Sequence, residues 1–299
     1  KIRKSKRMAN QTGLRDRLGR DQIVMAPGVY DAFGALMAEQ AGFEALYVSG
    51  ASVAYTKLGR PDIGLVSVSE LAQVVETISE RTDLPVIVDA DTGFGNALNA
   101  QRTVRQLERA GAGAIQIEDQ AMPKRCGHLD GKTLVSPEEM NGKIRAALDA
   151  RRNEETLIIA RTDAVAVEGY DRAMERAEGC VDAGADVLFI EAVTDLDQVK
   201  SAVDRFGTRV PLLVNMVEGG KTPLMPAPKL QTLGYSIVIF PGALVRVLAH
   251  AAGELFDTLR THGETAPYHD KMFDLGELNR LLGTDAMLAA GQRYSDGGG

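Results

Sequence analysis

Asp89 and Asp91 stand two residues apart at the end of the apolar run Val86-Ile87-Val88, and Glu118 closes a second such run. Residues at i and i+2 of a strand project to one face, so the two aspartates point the same way. Several carboxylates gathered at one place repel unless a cation compensates them. Oxygen donors with no accompanying His or Cys pattern suit a hard ion, Mg²⁺ with Mn²⁺ as the alternative, that keeps several waters. The competing interpretation is a set of salt bridges to nearby Arg or Lys.

A second cluster follows Glu118. Lys124-Arg125-Cys126-Gly127-His128 lies in a loop flanked by Pro123 and Gly131, with two cations and a histidine beside a thiol. Such neighbours favour thiolate and attract anions, so Cys126 is a candidate nucleophile or proton donor and acceptor. A small solvated basic turn with an incidental cysteine is the bland alternative. Cys180, among apolar helical neighbours, reads as a packed thiol. Ser49-Gly50-Ala51-Ser52 offers backbone N–H groups close to a carboxylate or phosphate, or else a plain tight turn. Arg161, at the end of a third apolar run, presents a planar fork that suits a carboxylate; a structural pair with Glu191 is the alternative. His250, His262 and His269 show no ligand spacing.

These residues need a scaffold that collects strand ends. Short apolar runs alternate with amphipathic stretches, the pattern of βα units on a parallel sheet. Eight runs occur, at 23–27, 45–50, 85–91, 114–118, 157–162, 187–191, 212–216 and 237–240, with helices expected at 69–81, 100–110, 137–151 and 171–183. The expected fold is therefore a (β/α)8 TIM-type barrel, whose strand ends converge on one mouth where active sites sit. Asp89-Ala90-Asp91, Glu118-Asp119, Arg161-Thr162-Asp163, Glu191 and Asn215 all fall at such ends. The expected division is a tail and entry helix at 1–20, a barrel at 21–262, and helices beyond eight units plus a tail at 263–299.

Bulk properties narrow the function further. A chain of 299 residues can hold one such barrel, and 44% apolar with 25% charged residues is ordinary for a soluble protein. A net charge of -7 and the lack of a basic, aromatic-rich face argue against nucleic acid. No apolar run approaches a membrane span. The basic opening 1–7 lacks an apolar signal core and reads as a flexible tail or added segment. Two cysteines make no disulfide framework and fit a reducing, cytoplasmic setting.

Ser49-Gly50-Ala51, Pro61-Asp62, Asp89 through Gly95, Ile117-Glu118-Asp119-Gln120, Pro123 through His128, Ala160 through Asp163 and Phe240-Pro241 together resemble the isocitrate lyase and phosphoenolpyruvate mutase superfamily over roughly 24–282. The resemblance implies that Asp89, Asp91, Glu118 and, through water, Asp62 organise one Mg²⁺. It implies that Ser49, Gly50, Ala51 and Arg161 hold a pyruvyl group, with Tyr47, Gly127, His128, Glu191, Asn215 and Pro241 around it. Mutases of the superfamily carry an Asn-bearing loop where this chain has the lyase version, Lys-Arg-Cys-Gly-His. The implied catalytic set is Cys126, as the acid that protonates a carbanion-like carbon, with Lys124, Arg125, His128, Arg161 and, as a candidate base, Tyr47. The implied reaction is cleavage of a small 2-hydroxy dicarboxylate to pyruvate, or an analogue, and a second acid.

The segment 272–283 resembles the dimethylmalate lyase and oxaloacetate hydrolase branches more than the methylisocitrate lyases, which favours a substituted malate over a tricarboxylate. Alternatives are oxaloacetate hydrolysis or decarboxylation on the same site, carboxyvinyl-carboxyphosphonate phosphorylmutase chemistry, and a barrel that binds a metabolite without turnover. A Schiff-base aldolase is disfavoured, since no lysine falls at a strand end. The resemblance also implies a homotetramer, a dimer of dimers with exchanged C-terminal helices.

Overall fold

The computed structural model describes residues 13–20, 22–127 and 129–295. Eight strands close in sequence order into a parallel barrel: β1 (Val24–Val29), β2 (Leu46–Val48), β3 (Val86–Asp89), β4 (Ala114–Glu118), β5 (Leu157–Thr162), β6 (Val187–Ile190), β7 (Leu212–Asn215) and β8 (Ile237–Phe240). In β3, β4 and β5 every side chain is buried, on both faces, which is why such strands read as largely apolar runs and not as alternation.

The core has two layers. Val24, Ala26, Tyr47, Ile87, Ile159, Phe189, Leu213 and Ile239 fill the barrel interior, with Leu14 of a short helix at 13–18 packed into the same cluster. A larger layer joins the outward strand faces to the helices, such as Leu71, Val75 and Ile78 of Val68–Arg81 and Val104 and Leu107 of Ala97–Ala110. Both helices begin with capping boxes, Ser67 with Glu70 and Asn96 with Asn99, which satisfy first-turn N–H groups. Closure at the β1–β8 seam depends on Gly28. A Cβ there would stand 2.5 Å from the Pro241 carbonyl carbon, so only glycine lets the two backbones meet.

Three strand ranges, β4, β5 and β8, lie as the sequence indicated, while β2 and β3 end earlier. After β2 the chain turns at once into a helical segment, Gly50–Val53, followed by a π-helical turn, Ala54–Leu58. After β3 it bends sharply, with Asp91 in the left-handed region at φ 47°. Such backbone for a non-glycine residue costs about 1–3 kcal/mol and collects at functional sites.

The chain separates into two compact units after Val245, inside the helix Ala243–His262. That helix buries none of its residues and exposes Val247, Leu248, Phe256 and Leu259. The second unit continues through a 3₁₀ segment, Ala266–Lys271, and the helices Leu275–Leu282 and Thr284–Ser295. Within it Tyr268 donates to the Ala251 carbonyl at 3.2 Å. Among the described residues no helix is long and apolar enough to cross a membrane.

Candidate active site

Strand register sets the first contacts at the barrel mouth. Asp89 pairs laterally with Gln116, Glu118 with Arg161, and Arg161 with Phe189. Gln116 Nε2 therefore donates to Asp89 Oδ1 at 3.1 Å, and the backbone N–H of Asp91 donates to the same oxygen at 3.2 Å. Gly50 lies over the aspartates: a Cβ on it would be 3.4 Å from Asp91 Oδ1 and 3.5 Å from Asp89 Oδ2. Ser49 caps the short helix, its Oγ accepting from Ser52 N at 3.2 Å, so Gly50 and Ala51 form the first turn facing the acids. Ser52 Oγ in turn donates to the Pro241 carbonyl at 3.0 Å, tying the strand-two turn to the end of β8.

Lys124 is not a solvated anion attractant. Its side chain is buried, with Nζ 2.6 Å from Asp62 Oδ1 and 2.5 Å from Asp91 Oδ1, so Asp62 meets a lysine directly. Burial opposes the ammonium, but Asp91, Glu118, Asp62 and Asp89 raise its pKa well above the ordinary lysine value. Arg125 has contacts of its own: its guanidinium donates to the Asp130 carbonyl at 2.9 Å, and its backbone N and O bind the Gln120 amide at 2.9 and 2.8 Å. The two cations that precede Cys126 in sequence thus have buried or backbone partners of their own. Cys126, partly exposed and outside any disulfide, is fixed through its own N–H, which donates to the Asp62 carbonyl at 3.2 Å. His128 lies outside the described residues.

The Arg161 fork also differs from expectation. Nε and Nη2 donate to the two oxygens of Asp163 at 2.9 and 3.0 Å, a bidentate pair with the residue two positions on. Glu118 Oε2 and Glu191 Oε2 follow at 3.4 and 3.5 Å, and the guanidinium lies 5.2 Å from the Phe189 ring centroid. Asn215 Nδ2 donates to Glu191 Oε2 at 2.9 Å. Arg161 is therefore the hub of a buried acidic network, with two of its donors on Asp163.

Tyr47, expected as a candidate base, is a hydrogen-bond donor here. Its hydroxyl donates to Gln116 Oε1 at 3.0 Å, and burial, with Asp89 next, pushes its pKa well above 10. The arrangement holds a neutral phenol that orients Gln116, and through it Asp89. Gln116 was legible in principle, since it sits two residues before Glu118 on the same face of β4.

The donor chemistry suits a hard cation. Among the described residues no three His, Cys, Asp or Glu side chains close into a ready-made cage, because the Lys124 ammonium stands between Asp62 and Asp91. Mg²⁺ does not need such a cage, since it binds through one or two carboxylates and retains water. Glu118 Oε1 is buried with no hydrogen-bond partner. Burial raises Glu118 well above the usual carboxylate range despite Arg161, and raises Asp91 to about 7 despite Lys124. Six buried carboxylates (Asp62, Asp89, Asp91, Glu118, Asp163, Glu191) share this network with Lys124, Arg161 and Lys132 as its cations. Negative charge is in excess, and a divalent ion would offset it.

The two thiols should separate cleanly. Cys180 is buried and its pKa is pushed up to about 12 by that burial, whereas Cys126 is partly exposed. Iodoacetamide at pH 8 on the native protein should label one thiol per chain, and peptide mapping should find it at Cys126. Equal labelling of Cys180 would contradict the packing described.

The phosphoenolpyruvate phosphomutase family model matches residues 14–260. The 2-methylisocitrate lyase of Aeropyrum pernix is 49% identical over 270 residues, 90% of this chain and 86% of that one. The crystal structure of 2,3-dimethylmalate lyase, described as a member of the PEP mutase/isocitrate lyase superfamily, superposes with a TM-score of 0.90 at 37% identity, covering 97% of this chain and 96% of that one. Phosphonopyruvate hydrolase, solved in complex with oxalate and Mg²⁺, has a TM-score of 0.84 at 30% identity, covering 97% and 99%. With its eight-stranded barrel and its acidic mouth, this chain belongs to the phosphoenolpyruvate phosphomutase family, within the PEP mutase/isocitrate lyase superfamily.

Proposed function

We propose that the chain is a Mg²⁺-dependent carbon–carbon lyase that cleaves a substituted malate, or a methylisocitrate-like acid, to pyruvate and a second carboxylic acid. The observation that carries this reading is the placement of Cys126, whose backbone is tied to Asp62 at the edge of the acidic cluster. The backbone of the Cys126 segment is thereby held against a residue of the cluster suited to a hard cation. Two relatives named as lyases of methylisocitrate and dimethylmalate support it.

Asp89, Asp91 and Glu118 would hold Mg²⁺, with Asp62 at one remove beyond Lys124. The ion would supply charge stabilisation at the oxygens of the 2-hydroxy acid. The protein's own groups do the rest. The first-turn amides of Gly50 and Ala51 bind the carboxylate end of the pyruvyl part. Tyr47 and Gln116 keep Asp89 oriented. Arg161, Glu191 and Asn215 form a prepositioned polar wall opposite. The 2-hydroxyl proton passes to solvent as the C2–O bond becomes the pyruvate carbonyl, the C2–C3 electron pair passes to C3, and the Cys126 thiol delivers a proton to that carbon and regains one from solvent.

We further place the protein in the cytoplasm, consistent with two cysteines outside any disulfide. We propose a homotetramer in which the C-terminal helices cover apolar surface on a second subunit. The exposed Val247, Leu248 and Phe256 of Ala243–His262 and Leu275 of Leu275–Leu282 support that assembly.

A panel of C4 to C7 2-hydroxy and 2-oxo diacids, with Mg²⁺ or with EDTA, tests the activity. Pyruvate should appear from a substituted malate or isocitrate only with the metal; oxalate from oxaloacetate would favour the hydrolase reading instead. Metal binding has its own signature. Asp91, raised to about 7, is increasingly protonated below that pH and must lose that proton to act as a ligand. The stabilisation conferred by Mg²⁺, read as a shift in Tm, should therefore grow between pH 6 and pH 8. A shift that falls with rising pH would exclude these ligands.

A further inference from the structure

We propose that Lys132 is a positioning residue that braces the Cys126–Gly127 segment against the Arg161–Asp163 pair and so sets where the thiol stands. Its catalytic consequence rests on the lyase reading above; the brace itself does not.

Lys132 lies on the return leg of the same loop, five residues after Gly127, with its side chain 1% exposed. A lysine ammonium is costly to bury unless it is paired and hydrogen-bonded. Here it makes two contacts: Nζ donates to the Gly127 carbonyl and lies 3.1 Å from Asp163 Oδ1. That same oxygen accepts from Arg161 Nη2 at 3.0 Å. A continuous chain of charge-assisted bonds thus runs from the loop carbonyl through Lys132 and Asp163 to Arg161 on β5.

The backbone at this point has little latitude. A Cβ on Gly127 would stand 2.9 Å from Glu191 Cγ and 3.2 Å from Asp163 Oδ1, so the loop rests directly on the buried network. One residue earlier, Cys126 N–H is held by the Asp62 carbonyl. Cys126 is therefore bracketed by Asp62 on its amide and by Lys132 on the next carbonyl. Asp163 is itself fixed from behind: its N–H donates to Asp119 Oδ1 at 2.8 Å, and Asp119 Oδ2 accepts from Thr162 Oγ1 at 2.7 Å. The brace ends on a rigid strand, as accurate placement of a proton donor requires.

Lys132→Met keeps the side chain's bulk and removes both contacts. Without substrate, the rate of iodoacetamide alkylation at the Cys126 peptide should rise about tenfold or more, the scale of a lost hydrogen bond to a charged group. With substrate, kcat should fall by a similar factor while KM changes little, because the thiol does not hold the ground state. Far-ultraviolet circular dichroism establishes folding, and Lys132→Gln carries the same two readouts if methionine is not tolerated. A folded variant with wild-type alkylation and wild-type kcat would overturn the proposal. Faster alkylation in a protein whose wild type cleaves no diacid would leave the brace standing and reject the lyase reading, so the two failures are distinguishable.

Discussion

Cys126→Ser should lower kcat by on the order of 10²–10⁴-fold, the usual share of a positioned general acid, and leave Mg²⁺ and pyruvate-analogue binding unchanged. The reasoning is geometric. Cys126 contributes its backbone N–H to Asp62, and that bond survives any side-chain change. Lys124 keeps Asp62 and Asp91 and Arg125 keeps Asp130 and Gln120, contacts in which the thiol takes no part. Serine is nearly isosteric but a far weaker acid, so the proton transfer alone suffers. Isothermal titration with oxalate in the presence of Mg²⁺ checks the binding half. Full turnover in the serine variant would remove the acid role from this residue.

Arg161→Met should be the most destabilising single change at the mouth. The guanidinium is surrounded by Asp163, Glu118 and Glu191, all buried, and methionine would leave these carboxylates without their shared cation. Breaking a buried pair from one side costs about 3–5 kcal/mol. Arg161→Lys restores the charge without the fork that meets both oxygens of Asp163, and should recover part of the stability and little of the activity. Denaturant midpoints for the two variants give the comparison. Equal stability of wild type and Arg161→Met would contradict the network.

The barrel was legible because its signal is local. Runs such as Ala114–Glu118 and Leu157–Thr162 are mostly apolar and end in polar residues, and they became β4 and β5 with the same bounds. Strand ends that curl into the mouth were harder. Asp91 leaves β3 by a left-handed bend that aspartate tolerates but does not announce. At the site, residue types were readable and pairings were not. Arg161 and Asp163 are two apart at the end of one strand, which placed both at the mouth, yet nothing in the spacing said that the fork would close on Asp163. Lys124 read as a loop cation because its burial between Asp62 and Asp91 depends on a loop returning over the barrel. Lys132, between Gly131 and Thr133, has the composition of a solvated turn, and only the tertiary contact with Asp163 reveals it.

The most direct measurement is proton NMR of the reaction with 2,3-dimethylmalate in D₂O, run with Mg²⁺ and with EDTA. Breaking the C2–C3 bond and protonating C3 from a solvent-exchanged Cys126 thiol gives pyruvate and propionate in equal amounts, with one deuterium at C2 of each propionate, and only when the metal is present. Metal-independent turnover, or no cleavage of this acid or of 2-methylisocitrate with Mg²⁺ bound, would contradict the assignment of a Mg²⁺-dependent carbon–carbon lyase.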